Sequence, residues 1–160
     1  MTLNTSRCRQ CQGEMALQDI RHLEGMERGL RLCIEHMPSM TCAKGHRRFV
    51  TPGFASTMLD ALLDGPSLVP LDAAGRRGLL RKRYACPNCG TVLEGGPAGR
   101  VEAHRTVRID GVHAFDVEVD LPTFRCTVCR RESIEPREEL LDDLMKASAR
   151  AFRSAELAAA

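Results

Sequence analysis

Apolar and polar residues partly alternate over 15–24 (MALQDIRHLE) and 29–37 (GLRLCIEHM), the period-two pattern of strands with one buried face. GMERG between them supplies a turn, so the pair reads as an antiparallel hairpin. The same logic returns at 101–109 (VEAHRTVRI) and 112–121 (VHAFDVEVDL), joined at Asp110–Gly111 and preceded by TVLE and the flexible GGPAGR. Elsewhere the period becomes helical. FASTMLDALLD (54–64) predicts a helix stopped by Gly65–Pro66. A second helix is expected from Pro136, because proline suits a first helical turn and Glu138 and Glu139 favour the positive end of the dipole. Its stripe is Leu140, Leu141, Leu144, Met145, Ser148 and Phe152. Residues 72–83 (DAAGRRGLLRKR) predict a short helix after a linker containing Pro66 and Pro70, and the tail SAELAAA is expected to fray.

The eight cysteines interrupt this pattern at regular places. Cys8 and Cys11, Cys86 and Cys89, and Cys126 and Cys129 form three CxxC pairs; Cys42 is followed by His46 instead. Tight paired ligands separated by a hairpin can surround one ion tetrahedrally, and thiolates with imidazole suit zinc. The spacing therefore predicts two zinc sites per chain: Cys8, Cys11, Cys42 and His46, then Cys86, Cys89, Cys126 and Cys129. CPNCG at 86–90 is the sharpest signal, since Gly90 can take the open dihedrals a knuckle needs. Cys33, in the alternating LRLCIEHM, leaves one ambiguity: it is either a small buried strand residue or a ligand in place of His46. His36 is a third candidate there, expected to be exposed. An iron site of four thiolates is open only to the second set.

Two segments align across the chain. MPSMTCAKGHRRFVTPGF (37–54) matches LPTFRCTVCRRESIEPRE (121–138) at Pro38 and Pro122, at Cys42 and Cys126, at the pairs Arg47–Arg48 and Arg130–Arg131, and at Pro52 and Pro136. A helix follows each. This reads as an internal duplication. The expected fold is small α+β: two tandem zinc-ribbon-like antiparallel β domains, each followed by a helix. The divisions are an amino-terminal ribbon with its helix (1–65), a basic linker (66–83) and a carboxy-terminal ribbon with the long helix (84–160). Domains this small have thin cores, which metal compensates. Aromatic mass is scarce, with no tryptophan, one tyrosine and five phenylalanines.

Composition narrows the setting. The start MTLNTSRCRQC lacks the apolar stretch of a secretory signal, and no apolar run is long enough to span a membrane. A reducing cytoplasm is expected, in which thiols stay free for metal. The net charge is only +2. Residues 1–83 carry 13 basic and 8 acidic side chains, residues 84–160 carry 10 and 13. A dedicated nucleic-acid binder is usually more basic.

With Cys8, Cys11, the strand ending IEHMPSM and Cys42 in view, the first half resembles the YgiT-type zinc fingers, bacterial ribbons that include the amino-terminal domain of the MqsA antitoxin. The second half follows the same scheme through Cys86, Cys89, Cys126 and Cys129. The resemblance implies a metal-stabilised fold and a protein-binding surface. It departs at His46, which replaces the fourth cysteine one position late. It departs again where MqsA-like proteins carry a helix-turn-helix domain and this chain has a second ribbon, so operator binding does not carry over.

The leading expectation is a non-enzymatic zinc protein that acts as a protein-interaction or regulatory module, meeting a protein partner or a second copy through the terminal helix. Nucleic-acid binding through Arg76, Arg77, Arg81, Lys82 and Arg83, backed by Arg47 and Arg48, is the alternative. His22, His104 and His113 carry no metalloprotease spacing, and GGPAGR lacks the Lys-Ser/Thr ending of a phosphate loop.

Overall fold

The computed structural model describes residues 7–64, 71–78 and 83–158. The fold is small α+β, two antiparallel ribbon-like halves each followed by a helix. In the first half, β1 (Met15–Glu27) and β2 (Leu30–Cys42) form a long hairpin, with β3 (Arg47–Arg48) beyond the second knuckle and α1 (Phe54–Leu63) after it. The second half has β4 (Gly75–Arg77), β5 (Arg83–Ala85) and β6 (Val92–Leu93) as one small sheet. Then come the hairpin of β7 (Gly99–Val107) and β8 (Phe115–Arg125), β9 (Glu132–Ser133), α2 (Arg137–Ser154) and β10 (Leu157–Ala158).

The first hairpin is longer than the alternation suggests; the second is shifted, with β7 ending at Val107 and β8 beginning at Phe115. The first turn closes on Arg28 and Gly29 alone, with φ of 44° and 86°, the left-handed pair that a two-residue hairpin turn requires. Alternation slips at His36, which takes a φ of 54°. Leu30, Leu32 and Ile34 point into the core at every second position, and the next inward residue is Met37. That change of phase explains why period two is only partial in the sequence.

The hairpins are joined. β2 pairs antiparallel with β8, Cys33 opposite Glu118 and Ile34 opposite Val117. In the duplication that equates Cys42 with Cys126, Cys33 corresponds to Val117 and Ile34 to Glu118. The strands therefore cross at equivalent positions, as around a twofold axis within one chain. The helices cross too. α1 contacts β7, and α2 lies over β1 and β2, so each helix covers the hairpin of the other half. One core results, from Leu32 and Ile34 through Phe54 and Met58 to Val117, Val119, Leu144 and Ala151. Phe54 stacks between Phe49 and Phe115 at 5.6 Å from each, and Phe152 meets Phe49 edge-on at 4.9 Å. Four of the five phenylalanines thus lie at the junction of the halves.

Two local expectations are corrected. The short helix over 72–83 is not formed by its described part. Gly75–Arg77 is a strand paired with Arg83–Ala85, and Gly75 and Gly78 disfavour helix on entropy alone; residues 79–82 lie outside the described residues. The tail does not simply fray, because Leu157–Ala158 pairs in parallel with Arg47–Arg48. Among the described residues, no helix is long and apolar enough to cross a membrane.

Candidate metal centres

Three of the four knuckles share one backbone loop. The Cys8 N–H donates to Gly13 O and Gln12 N–H donates back to Cys8 O, both at 2.8 Å. Cys86 repeats this with Thr91 and Gly90, and Cys126 with Arg131 and Arg130. The fifth residue of each loop is left-handed: Gln12, Gly90 and Arg130 have φ of 60°, 73° and 64°. The fourth knuckle is one residue tighter. Cys42 N–H donates to His46 O at 3.1 Å and Gly45 N–H to Cys42 O at 2.8 Å, with Gly45 at φ 82°. The left-handed glycine thus occupies the place of the second cysteine, and the ligand moves to the next residue. An imidazole is long enough to reach back from there.

The side chains converge as the spacing predicts. In the first centre, His46 Nδ1 lies 3.4 Å from Cys8 Sγ and 3.5 Å from Cys42 Sγ, and Cys11 Sγ lies 3.6 Å from Cys42 Sγ. In the second, Cys86 to Cys129 and Cys89 to Cys126 are both 3.5 Å between sulfurs. Within each set, one donor atom per residue falls within 4.8 Å of all the others. A zinc tetrahedron with Zn–S near 2.3 Å has S···S edges of about 3.8 Å and S···N edges of about 3.6 Å. Both clusters are geometrically consistent with zinc, and their soft donor sets suit it. Cys33 is buried on β2 and is not in the first candidate group, whose fourth member is His46. His36 is exposed on the same strand.

The surroundings of Cys89 and Cys129 favour thiolate. Cys89 is held down to about 6 by a hydrogen bond from the Thr91 hydroxyl, 3.2 Å from its sulfur, and by the Thr91 N–H. Cys129 is lowered by the Arg131 N–H and then by the Asn88 side chain. Arg131 in turn donates to Asn88 Oδ1 at 3.2 Å and pairs with Asp72 at 3.1 Å. Thr91 and Asn88 were not legible as ligand supports; their only signal is their place within and just after CPNCG. Arg131, after the second knuckle of its half, is thus held by its own neighbours, Asn88 and Asp72.

That use of the arginines bears on the basic cluster. Arg48 donates through Nε to Met15 Sδ at 3.3 Å, and Arg47 donates to Ala155 O at 3.5 Å. Arg76 reaches the buried Glu139 carboxylate at 3.7 Å. Arg77 and Arg83 are exposed, while Arg81 and Lys82 lie outside the described residues. Arg47 and Arg48 are thus engaged within the fold, while Arg77 and Arg83 stand opposite each other on β4 and β5. The stripe of α2 also has an internal use: Leu140, Leu144, Ser148 and Phe152 are buried, Leu141 is partly so, and Met145 is 52% exposed. No family model matches the chain, and no curated protein or solved structure shows significant similarity to it.

Proposed function

We propose that each cluster binds one zinc ion with all four protein ligands, Cys8, Cys11, Cys42 and His46 in the first and Cys86, Cys89, Cys126 and Cys129 in the second. The carrying observation is the pair of four-donor clusters with edges of 3.4–3.6 Å. Four protein donors leave no coordination position for water or substrate, which is the arrangement of structural rather than catalytic zinc. The chain is accordingly a non-catalytic zinc-binding module of ribbon type. Its role is to present a surface to a protein partner, a reading that the YgiT-type resemblance supports. With the α2 stripe turned inward, the large apolar side chains left exposed among the described residues are Met26 on β1, Met145 on the outer side of α2 and Val128 at the tip of the last knuckle, 53%, 52% and 68% exposed.

The metal reading is tested by elemental analysis of His46→Ala and Cys126→Ala. Each is expected to lose one zinc and keep the other. A variant that retains both, or loses both, contradicts two independent closed sites. If the outer side of α2 makes a homodimer, Met145→Glu converts the dimer mass to the monomer mass; a dimer that persists removes that surface.

A further inference from the structure

The face of the central sheet turned away from the helices carries a third cluster of donors. On β1 and β2, His22 stands opposite Glu35 and Glu24 opposite Cys33; on β8, Glu118 stands opposite Cys33 from the other side. One donor atom from each of His22, Glu24 and Cys33 lies within 4.8 Å of the other two. We propose that His22, Glu24 and Cys33 form a third metal site, open and exchangeable, for a divalent transition-metal ion of the zinc and cobalt class.

Each exposed ligand is oriented by a neighbour. His22 Nδ1 lies 2.6 Å from Glu35 Oε1, so the ring donates there. This is the carboxylate–imidazole arrangement that fixes the tautomer of a metal-binding histidine and leaves Nε2 as the free donor. Glu24 Oε1 accepts from Arg31 Nε at 3.0 Å, and its other oxygen, Oε2, lies 3.7 Å from His22 Nε2. Beneath them Cys33 is 5% exposed, reached only from this face. Thiolate and carboxylate neutralise a divalent ion; Glu35 and Glu118 add negative charge, with Arg31 held on Glu24 and His104 3.6 Å from Glu118. Imidazole, carboxylate and thiolate are all zinc ligands, and a set of three leaves a fourth position for water. This site differs in kind from the closed knuckle centres. It also lies where β2 meets β8, so its occupancy bears on the seam between the halves.

The test is titration of the zinc-loaded protein with cobalt(II). Native mass spectrometry counts bound ions, and absorption reports the thiolate-to-cobalt charge-transfer band. The wild type is expected to take up one ion beyond the two knuckle zincs, with that band appearing. Losing an orienting partner of a ligand already costs roughly 10- to 100-fold in affinity, so His22→Gln and Glu24→Gln, both at exposed positions, are expected to weaken this uptake at least about tenfold. Both variants keep the two zincs. Cys33→Ser removes the band. No third ion in the wild type, uptake unchanged in His22→Gln, or a band that survives Cys33→Ser each overturns the proposal.

Discussion

Single residues settle the chemistry of this chain. His46 is the clearest case. The sequence places it one position later than the pattern of the other knuckles, and the physical reason is the left-handed Gly45 that closes its loop a residue early. The candidate donors were legible because side-chain chemistry and spacing suffice to name them. The shortened loop was not, since it depends on backbone dihedrals. The role of Asp143 was likewise hidden: it is 2% exposed on α2 and pairs at 3.3 Å with Arg28, which also holds Glu135. Burial raises the carboxyl pKa of Asp143 and of Glu135, each further raised by other carboxylates. The folded protein therefore binds these protons more tightly than the unfolded chain, and this cluster lowers stability as pH rises from the ordinary carboxylate range through the raised values. In Asp143→Asn that decline is expected to flatten, as read from urea unfolding at a series of pH values. An unchanged slope contradicts the assignment.

Elements were legible where one periodicity ran long enough. Both helices and both hairpins stand close to where hydrophobic spacing puts them, and α2 begins directly after Pro136. The failures have local causes. DAAGRRGLLRKR mimics a helix in composition, yet its described part pairs as a strand between two glycines. The packing of α2 was out of reach because it depends on a strand far away in sequence. At their crossing, a Cβ on Gly25 of β1 would fall 1.9 Å from Ala147 O of α2. No flexible side chain can move aside there, so Gly25→Ala is expected to destabilise by about 3 kcal/mol, the upper end of ordinary overpacking. Thermal unfolding measures this, and a wild-type midpoint contradicts the close crossing. The knuckles, by contrast, sit at the edge of the core. Cys8, Met15, Met40 and Cys42 form a small cluster of their own. After zinc is chelated, hydrogen exchange is expected to accelerate over 7–14 and 83–93 while the centres of β2 and β8 keep their protection. Uniform loss of protection means instead that metal holds the whole sheet.

At the scale of the molecule, the two halves complete each other. β2 offers an edge that β8 takes, and each helix covers the opposite hairpin. The repeat was legible from matched prolines, cysteines and arginines; the exchange of helices was not, because nothing local distinguishes a helix packed on its own hairpin from one packed on its neighbour. On the proposed reading, zinc pins the knuckle ends, where apolar burial is thin. The most direct measurement is native mass spectrometry of protein purified without added metal, paired with elemental analysis. Two zinc ions per chain in closed, thiolate-bearing sites are the expected result. A chain that is folded and metal-free, or one that carries a single zinc, contradicts the two-centre account.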